Sequence, residues 1–342
     1  MYRYVLICVL FTSLFSCKEE YPLNLEKNDP ILVVDASVNN SKGPHFVRLS
    51  KSYSKIENGN FKGGSSEDSV DEPVDDALVI VKDNNGVVDT LKKLDNTFFN
   101  SYKDTEFGKK YYYTIEQTNG SVDTVFIFPD SYDLNKNSIY QTSKIEGLPG
   151  NTYTIQIKWK DKTYKAEEKM PPCLVIDSTS YRYEKGLPGK DGHYVPLLYF
   201  KNPSDIHQYY LSNIDSRNDL MNLFHLTQWY YSVFDTEYFN EYVNGVFLED
   251  GYPKDWWSDN YDPRYEFKDG KYTGFFDVKI SSLSENAYNY YKQLSESLGQ
   301  DGGAYKPAPA SAPGNINNGA LGYFKVSADT PLTIQIDNYA PY

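Results

Sequence analysis

The feature that most constrains this chain is an alternation. Over "NTYTIQIKWKDKTYKAEEKM" (residues 151–170), Tyr153, Ile155, Ile157 and Trp159 alternate with Thr154, Gln156, Lys158 and Lys160. A period of two sets successive side chains on opposite faces of a strand, so one face meets a core and the other meets water. Lys160 to Lys162 turn the chain, and Tyr164 and Ala166 continue the inward face on a return strand.

The same pattern recurs upstream. In "ILVVDASVNN" (residues 31–40), Ile31 and Val33, with Leu32 and Val34 across the pleat, make a buried run that ends at Asn39-Asn40. "HFVRLSKSY" sets Phe46, Arg48 and Ser50 against Val47 and Leu49, and Asn85-Gly86 between "LVIVKD" and "VVDTL" is a two-residue hairpin signal. With "YYYTIEQ" and "VDTVFIF", residues 30–172 supply about eight short strands and no helical stripe, the pattern of an immunoglobulin-like β-sandwich domain. The aromatic content, 33 Tyr and 18 Phe, suits pleated, half-buried surfaces.

Pro171-Pro172 cannot join a central ladder and marks a boundary. Residues 173–342 then read as an aromatic-rich β domain with one or two short helices. "IDSTSYRYE" and "HYVPLLYFKN" open it as strands. A helix is expected near residues 283–298, where Ser282 and Glu285 make a capping box, Ala287, Tyr291, Leu294 and Leu298 a stripe, and Gly299 a terminator. A weaker helical segment spans about residues 219–230, residues 251–274 read as a long aromatic and polar loop, and a terminal strand is expected near Leu321 to Val326. The overall class is therefore mainly β.

The start of the chain reads as an address. Residues 1–16, "MYRYVLICVLFTSLFS", have Arg3 before an apolar run too short to span a bilayer as a helix, as in a secretory signal peptide. Leu14-Phe15-Ser16 before Cys17 resembles the bacterial lipobox, in which the cysteine thiol is acylated and the leader removed. Acyl chains, palmitate among them, would anchor the mature chain to a membrane. Lys18, Glu19 and Glu20 resemble the Bacteroidota signal that exports lipoproteins to the cell surface, and residues 17–29 read as a tether.

Charge and motif content narrow the chemistry. With 34 Lys+Arg against 47 Asp+Glu the net charge is -13 and no basic patch stands out, which argues against nucleic acid as a partner. Only Cys173 remains as an ordinary thiol in the mature body, so no disulfide framework forms, and His45, His193, His207 and His225 have no metal-ligand spacing. No GxSxG, HExxH or phosphate-cradling loop is present, so the chain is not expected to be an enzyme or to carry a cofactor. Glu67, Asp68, Asp71, Glu72, Asp75 and Asp76 form an acidic run that could offer carboxylates to calcium, but its spacing does not match a DxDxDG loop and it reads as a solvated segment.

Taken in order, Cys17, "ILVVDASVNNSKGPHFVRLSKS", "PVDDALVIVKDNNG", "GLPGNTYTIQIKWKDKTYKAEEKMPPCLVIDS", "NPSDIHQYYLS", "ISSLSENAYNYY" and "PGNINNGALGYF" resemble an uncharacterised lipoprotein family of Bacteroidota, number 4249 among the domains of unknown function. Members are commonly encoded beside TonB-dependent outer-membrane receptors. The resemblance therefore implies an outer-membrane lipoprotein facing the cell exterior and working with a β-barrel transporter, and it supplies no catalytic residues. Trp256 and Trp257, with Tyr252, Tyr261 and Tyr265, are the candidate face for a glycan, a peptide or a partner protein, because flat aromatic rings stack and dominate hot spots. The alternatives are a carboxylate-using surface hydrolase, which needs two acids at fixed separation, and a structural or adhesive surface protein.

Overall fold

The computed structural model describes residues 29–52, 72–94, 100–104, 108–116, 120, 122–127, 138–184, 193–203, 206–214, 232–248, 264–298 and 312–337. The first half contains β1 (Leu32–Asn39), β2 (Phe46–Lys51), β3 (Glu72–Pro73), β4 (Leu78–Asp83), β5 (Val88–Thr90), β6 (Lys92–Lys93), β7 (Asn100–Asp104), β8 (Gly108–Glu116), β9 (Val122–Ile127), β10 (Ser138–Gln141), β11 (Thr152–Trp159) and β12 (Lys162–Lys169). The second contains β13 (Ser178–Glu184), β14 (His193–Lys201), β15 (Tyr209–Ile214), β16 (Ser232–Asp235), β17 (Tyr242–Phe247), β18 (Arg264–Lys268), β19 (Lys271–Leu283) and β20 (Leu321–Ile336). Helix α1 (Glu285–Leu298) follows β19 and is the one helix among the described residues. The chain is mainly β, as its alternation predicts.

The expected hairpin forms in full: β11 and β12 pair from Thr152↔Lys169 to Trp159↔Lys162, around a turn in which Lys160 takes a φ of 51°. The Asn85-Gly86 signal also closes a hairpin, β4 on β5, with the Asp83 carboxylate accepting from the amides of Asn85 and Val87. These strands assemble a sheet in the order β12, β11, β4, β5.

The remaining architecture is built around β20. Ten strands form one sheet in the order β16, β15, β19, β20, β1, β2, β10, β6, with β18 on β19 and β3 on β2. The last strand lies parallel to the first, Val33↔Leu321 to Asn39↔Ser327, and then antiparallel to β19 from Ala328 to Ile336. Strands from both sides of Pro171-Pro172 thus share one sheet. Gly322 permits the join: its φ is +91°, and a Cβ there would stand 1.9 Å from the Val34 carbonyl oxygen.

Because side chains alternate along a strand, the even positions of β20 serve two cores in succession. Phe324, Val326 and Ala328 enter the first, between β1, β2 and the four-stranded sheet, with Leu32, Val34, Val81, Tyr153, Ile155, Ile157 and Trp159. Ile334 and Ile336 enter the second, facing the three-stranded sheet β13, β14, β17, with Leu198, Phe200, Phe276, Val278 and Ile280. The odd positions face the other way, where Tyr323 joins Leu211, Leu283, Ala287, Tyr288 and Tyr291 beneath α1. The sheets therefore stack as sandwich-like layers with the helix on the opposite side.

Several local expectations change. Helix α1 is capped by Ser284, whose Oγ accepts from the Ala287 amide at 3.1 Å, while Ser282 sits on β19 paired with Ala328. Ser284 stands at the first residue free of the strand ladder, which decides the cap. Residues 264–274, read as loop, form the β18–β19 hairpin about Asp269-Gly270, whose positive φ values of 52° and 78° fit a tight hairpin turn. The terminal strand runs ten residues past Val326 to Ile336, because β19 continues the ladder where β1 ends. The weak helical reading at residues 219–230 lies outside the described residues.

Candidate functional site

Among the described residues, a group of ionisable side chains lies on the odd face of β20, beside α1. Register sets Asp35 opposite Arg48 on β2 and Tyr323 on β20, Ser37 opposite Lys325, and Ser281 of β19 opposite Asp329. Arg48, Asp35, Lys325, Asp329 and Lys279 thus alternate in sign across β2, β1, β20 and β19.

Burial and partners tune these groups differently. Burial pushes the Asp35 carboxyl up to about 6, against the opposing pull of Arg48 and Lys325. Burial alone would raise Asp329 as well, but Lys279 and Lys325, with the hydroxyls of Ser281 and Ser327, hold it below the ordinary carboxylate range. Lys325, 8% exposed, is pushed down by burial, although Asp329 and Asp35 favour its charge. Its ammonium lies 5.9 Å from the Tyr291 ring centre.

Asp329 is also the centre of a polar knot at the end of β1. Its amide donates to Asn40 Oδ1 (2.7 Å), while its carboxylate accepts from Asn39 Nδ2 (3.2 Å) and Ser327 Oγ (2.9 Å). Asn40 Nδ2 donates to the Asp329 carbonyl (3.1 Å) and to Cys173 Sγ (3.3 Å). Burial and the nearby Asp329 charge push the Cys173 thiol up, away from the reactive thiolate form. His45, just ahead of β2, is buried with Nε2 unpartnered among the described residues, and burial lowers its pKa to about 4.

Helix α1 covers part of this face with aromatic rings. Tyr290 lies 4.7 Å from the Tyr323 ring, and burial with the Asp35 charge pushes its hydroxyl up to about 12. Tyr323 donates to Glu168 Oε2 at 2.8 Å and Tyr288 to Asp235 Oδ2 at 2.7 Å. Arg48 and Lys325 favour the Asp35 charge and Lys279 and Lys325 the Asp329 charge, so removing one of these cations would leave a buried carboxylate less compensated. Residues such as Asp35 and Lys325 were not singled out from sequence, although a lone charge inside "ILVVDASV" and "GYFKVSA" is the signal that marks them.

Cys17, Lys18, Glu19 and Glu20, with Tyr252, Trp256, Trp257 and Tyr261, lie outside the described residues. Tyr265 falls on β18, its backbone paired with Gly274, and its side chain is outside the description. Of the acidic run, Glu67, Asp68 and Asp71 are also outside, whereas the rest is engaged: Glu72 pairs with Lys51 (2.5 Å), Asp75 with Lys93 (2.6 Å), and Asp76 accepts from Trp159 Nε1 (3.0 Å). Among the described residues no group of three or more His, Cys, Asp or Glu is placed to hold a metal ion. Exposed aromatic surface is found instead on the three-stranded sheet, at Tyr183, Tyr242 and Phe247, with the Arg182 guanidinium 6.0 Å from the Phe247 ring.

A family model described as "Domain of unknown function (DUF4249)" matches residues 18–332. No curated protein and no solved structure matches the chain.

Proposed function

The chain belongs to the DUF4249 family, and from that premise we propose that it is a lipid-anchored, surface-exposed outer-membrane protein that serves a TonB-dependent transporter as a non-catalytic docking or nutrient-capture subunit. The observation that carries the reading is the run from apolar leader to Cys17 to Lys18-Glu19-Glu20, set directly ahead of the body. Fully extended, the residues between Cys17 and Leu32 reach at most about 50 Å, so an acylated Cys17 would hold the body close to the membrane surface. β1, the first strand after that tether, is bonded on both flanks, by β2 and β20, and Asp35, its one charged residue, stands opposite Arg48 on β2. A pull on the tether would therefore load the middle of the ten-stranded sheet rather than peel an edge.

The test combines labelling with co-purification. Cells fed an alkyne fatty acid should label the wild-type chain and leave Cys17→Ala unlabelled and released from membranes. Intact-cell protease should reach the body, and detergent extracts should yield a β-barrel receptor with the wild type. An equally labelled Cys17→Ala chain would remove the anchor; a labelled chain that never travels with a barrel would remove the accessory role.

A further inference from the structure

We propose that the open face of the sheet β12, β11, β4, β5 docks a short acidic loop or segment of a partner protein. The inward residues of this sheet fill the first core, which leaves the alternate set on the other face, half-buried at Thr154, Gln156 and Ile80 and exposed at the lysines. That outward set is basic: Lys82, Lys158, Lys165 and Lys169 are all exposed, with Glu167 as the acid among them. Glu167 already accepts from Thr154 Oγ1 at 3.3 Å. A local excess of positive charge on a chain of net charge -13 is a feature of this face and not of the composition.

The register gives the face its shape. Gln156 lies between Lys165 on β12 and Ile80 on β4, and Lys158 lies between Thr163 and Leu78. Lys82 is paired with Val88 on β5. Leu78 and Val88 are 42% and 47% exposed, Leu78 beside Lys158 at one end of β4 and Val88 beside Lys82 at the other, so apolar side chains are interspersed with the lysines. Among the described residues none of these four lysines has a carboxylate within ion-pair distance.

Charge and size choose the occupant. Three strand spacings of about 4.8 Å by six residues of about 3.4 Å give a face of roughly 14 by 20 Å. That is well below the roughly 800 Å² each partner gives to a standard interface, and it fits one extended segment. Two copies apposed by this face would bring lysines against lysines. The outward set carries no aromatic ring, the platform on which bases stack. Carboxylates over the lysines and aliphatic groups over Leu78 and Val88 complement what is present. The inference deepens the accessory reading and rests on it only for where the partner is found, since the peptide measurement below does not depend on the anchor.

The test uses the full mature chain and a fluorescent peptide rich in Glu and Leu, with a Lys-and-Leu peptide and phosphatidylglycerol vesicles as competing probes. The expected result is binding of the acidic peptide that weakens as salt rises, and a loss of at least about tenfold in the charge-reversed variant Lys82→Glu, Lys158→Glu, Lys165→Glu, Lys169→Glu. The milder pair Lys158→Gln, Lys165→Gln should lose a smaller part of the affinity with an unchanged circular dichroism spectrum. Equal affinity in the variants, equal binding of the basic peptide, binding to vesicles alone, or self-association abolished by the same substitutions would each overturn the proposal. Failure of the Cys17 labelling with the peptide result intact would remove the anchor and leave this surface standing.

Discussion

His45 and Asp35 carry titrations of opposite sense. In the folded chain burial lowers His45 to about 4, against about 6.5 when unfolded, so between those values the unfolded chain alone binds the proton and stability falls on acidification. Asp35 is raised to about 6, against about 3.9 when unfolded, so over an overlapping window the folded chain alone keeps its proton and stability rises on acidification. The two contributions oppose each other between about pH 4 and 6, which would leave the wild-type profile shallow there. The charged groups facing His45 include Asp329 and Asp89; those facing Asp35 include Arg48 and Lys325, with the neutral phenol of Tyr290 from α1 nearby. Replacing His45 with Gln should expose the Asp35 slope: the stability difference between variant and wild type should shift in the variant's favour by up to about 1.4 kcal/mol per pH unit from pH 6.5 towards 4. Urea melts at three pH values measure it, and a pH-independent difference would refute the assignment.

At the scale of elements, the Asn-rich loop before β20 closes two flanks that the ladders leave open. β12 has its outer edge covered by Asn317, whose Oδ1 accepts from the Lys165 amide (2.7 Å) and whose own amide donates to the Lys165 carbonyl (3.0 Å). β20 between Leu321 and Ser327 has β1 on one flank, and on the other Asn315 accepts from the Phe324 amide (2.9 Å) and donates to its carbonyl (3.0 Å). Covering bare edges in this way suppresses strand addition by other chains. Asn315 also donates to Glu168 at 3.2 Å, in partly buried surroundings, while the Asn317 bonds are exposed. Asn315→Ala should therefore cost about 2 to 3 kcal/mol and Asn317→Ala about 1 kcal/mol in chemical denaturation. A reversed ranking would mean that the loop does not grip β20 as described. Read from sequence, "PGNINNGA" is only a polar loop ahead of the expected terminal strand, because an asparagine side chain declares no partner until a strand with unpaired amides lies beside it.

Across the whole molecule, β20 contributes to both cores and should couple them in unfolding. Phe324 packs in the first and Ile334 in the second, on the same face of the same strand. Ile334→Ala should cost about 2 to 4 kcal/mol, and hydrogen exchange should speed up on β11 and β12 in the first core as well as on β14 and β19. Exchange that quickens only around the second core would show two independent units. Much of this was legible locally: the period of two over residues 151–170, the turn at Asn85-Gly86 and the stripe at Ala287 and Tyr291 each rest on interactions between near neighbours, and each appears as an element. The lone charges in apolar runs were visible as residues but not as a group. Alternation states which way a side chain points and not which strand lies beside it. The sequence by itself therefore determined a mainly β chain, its main hairpins and the faces of its strands. Only the tertiary structure decided that Leu321–Ser327 would lie parallel to Val33–Asn39 and bring Asp35, Lys325 and Asp329 onto one face. That pairing spans nearly the full chain, and its energy depends on every layer folded between the two strands.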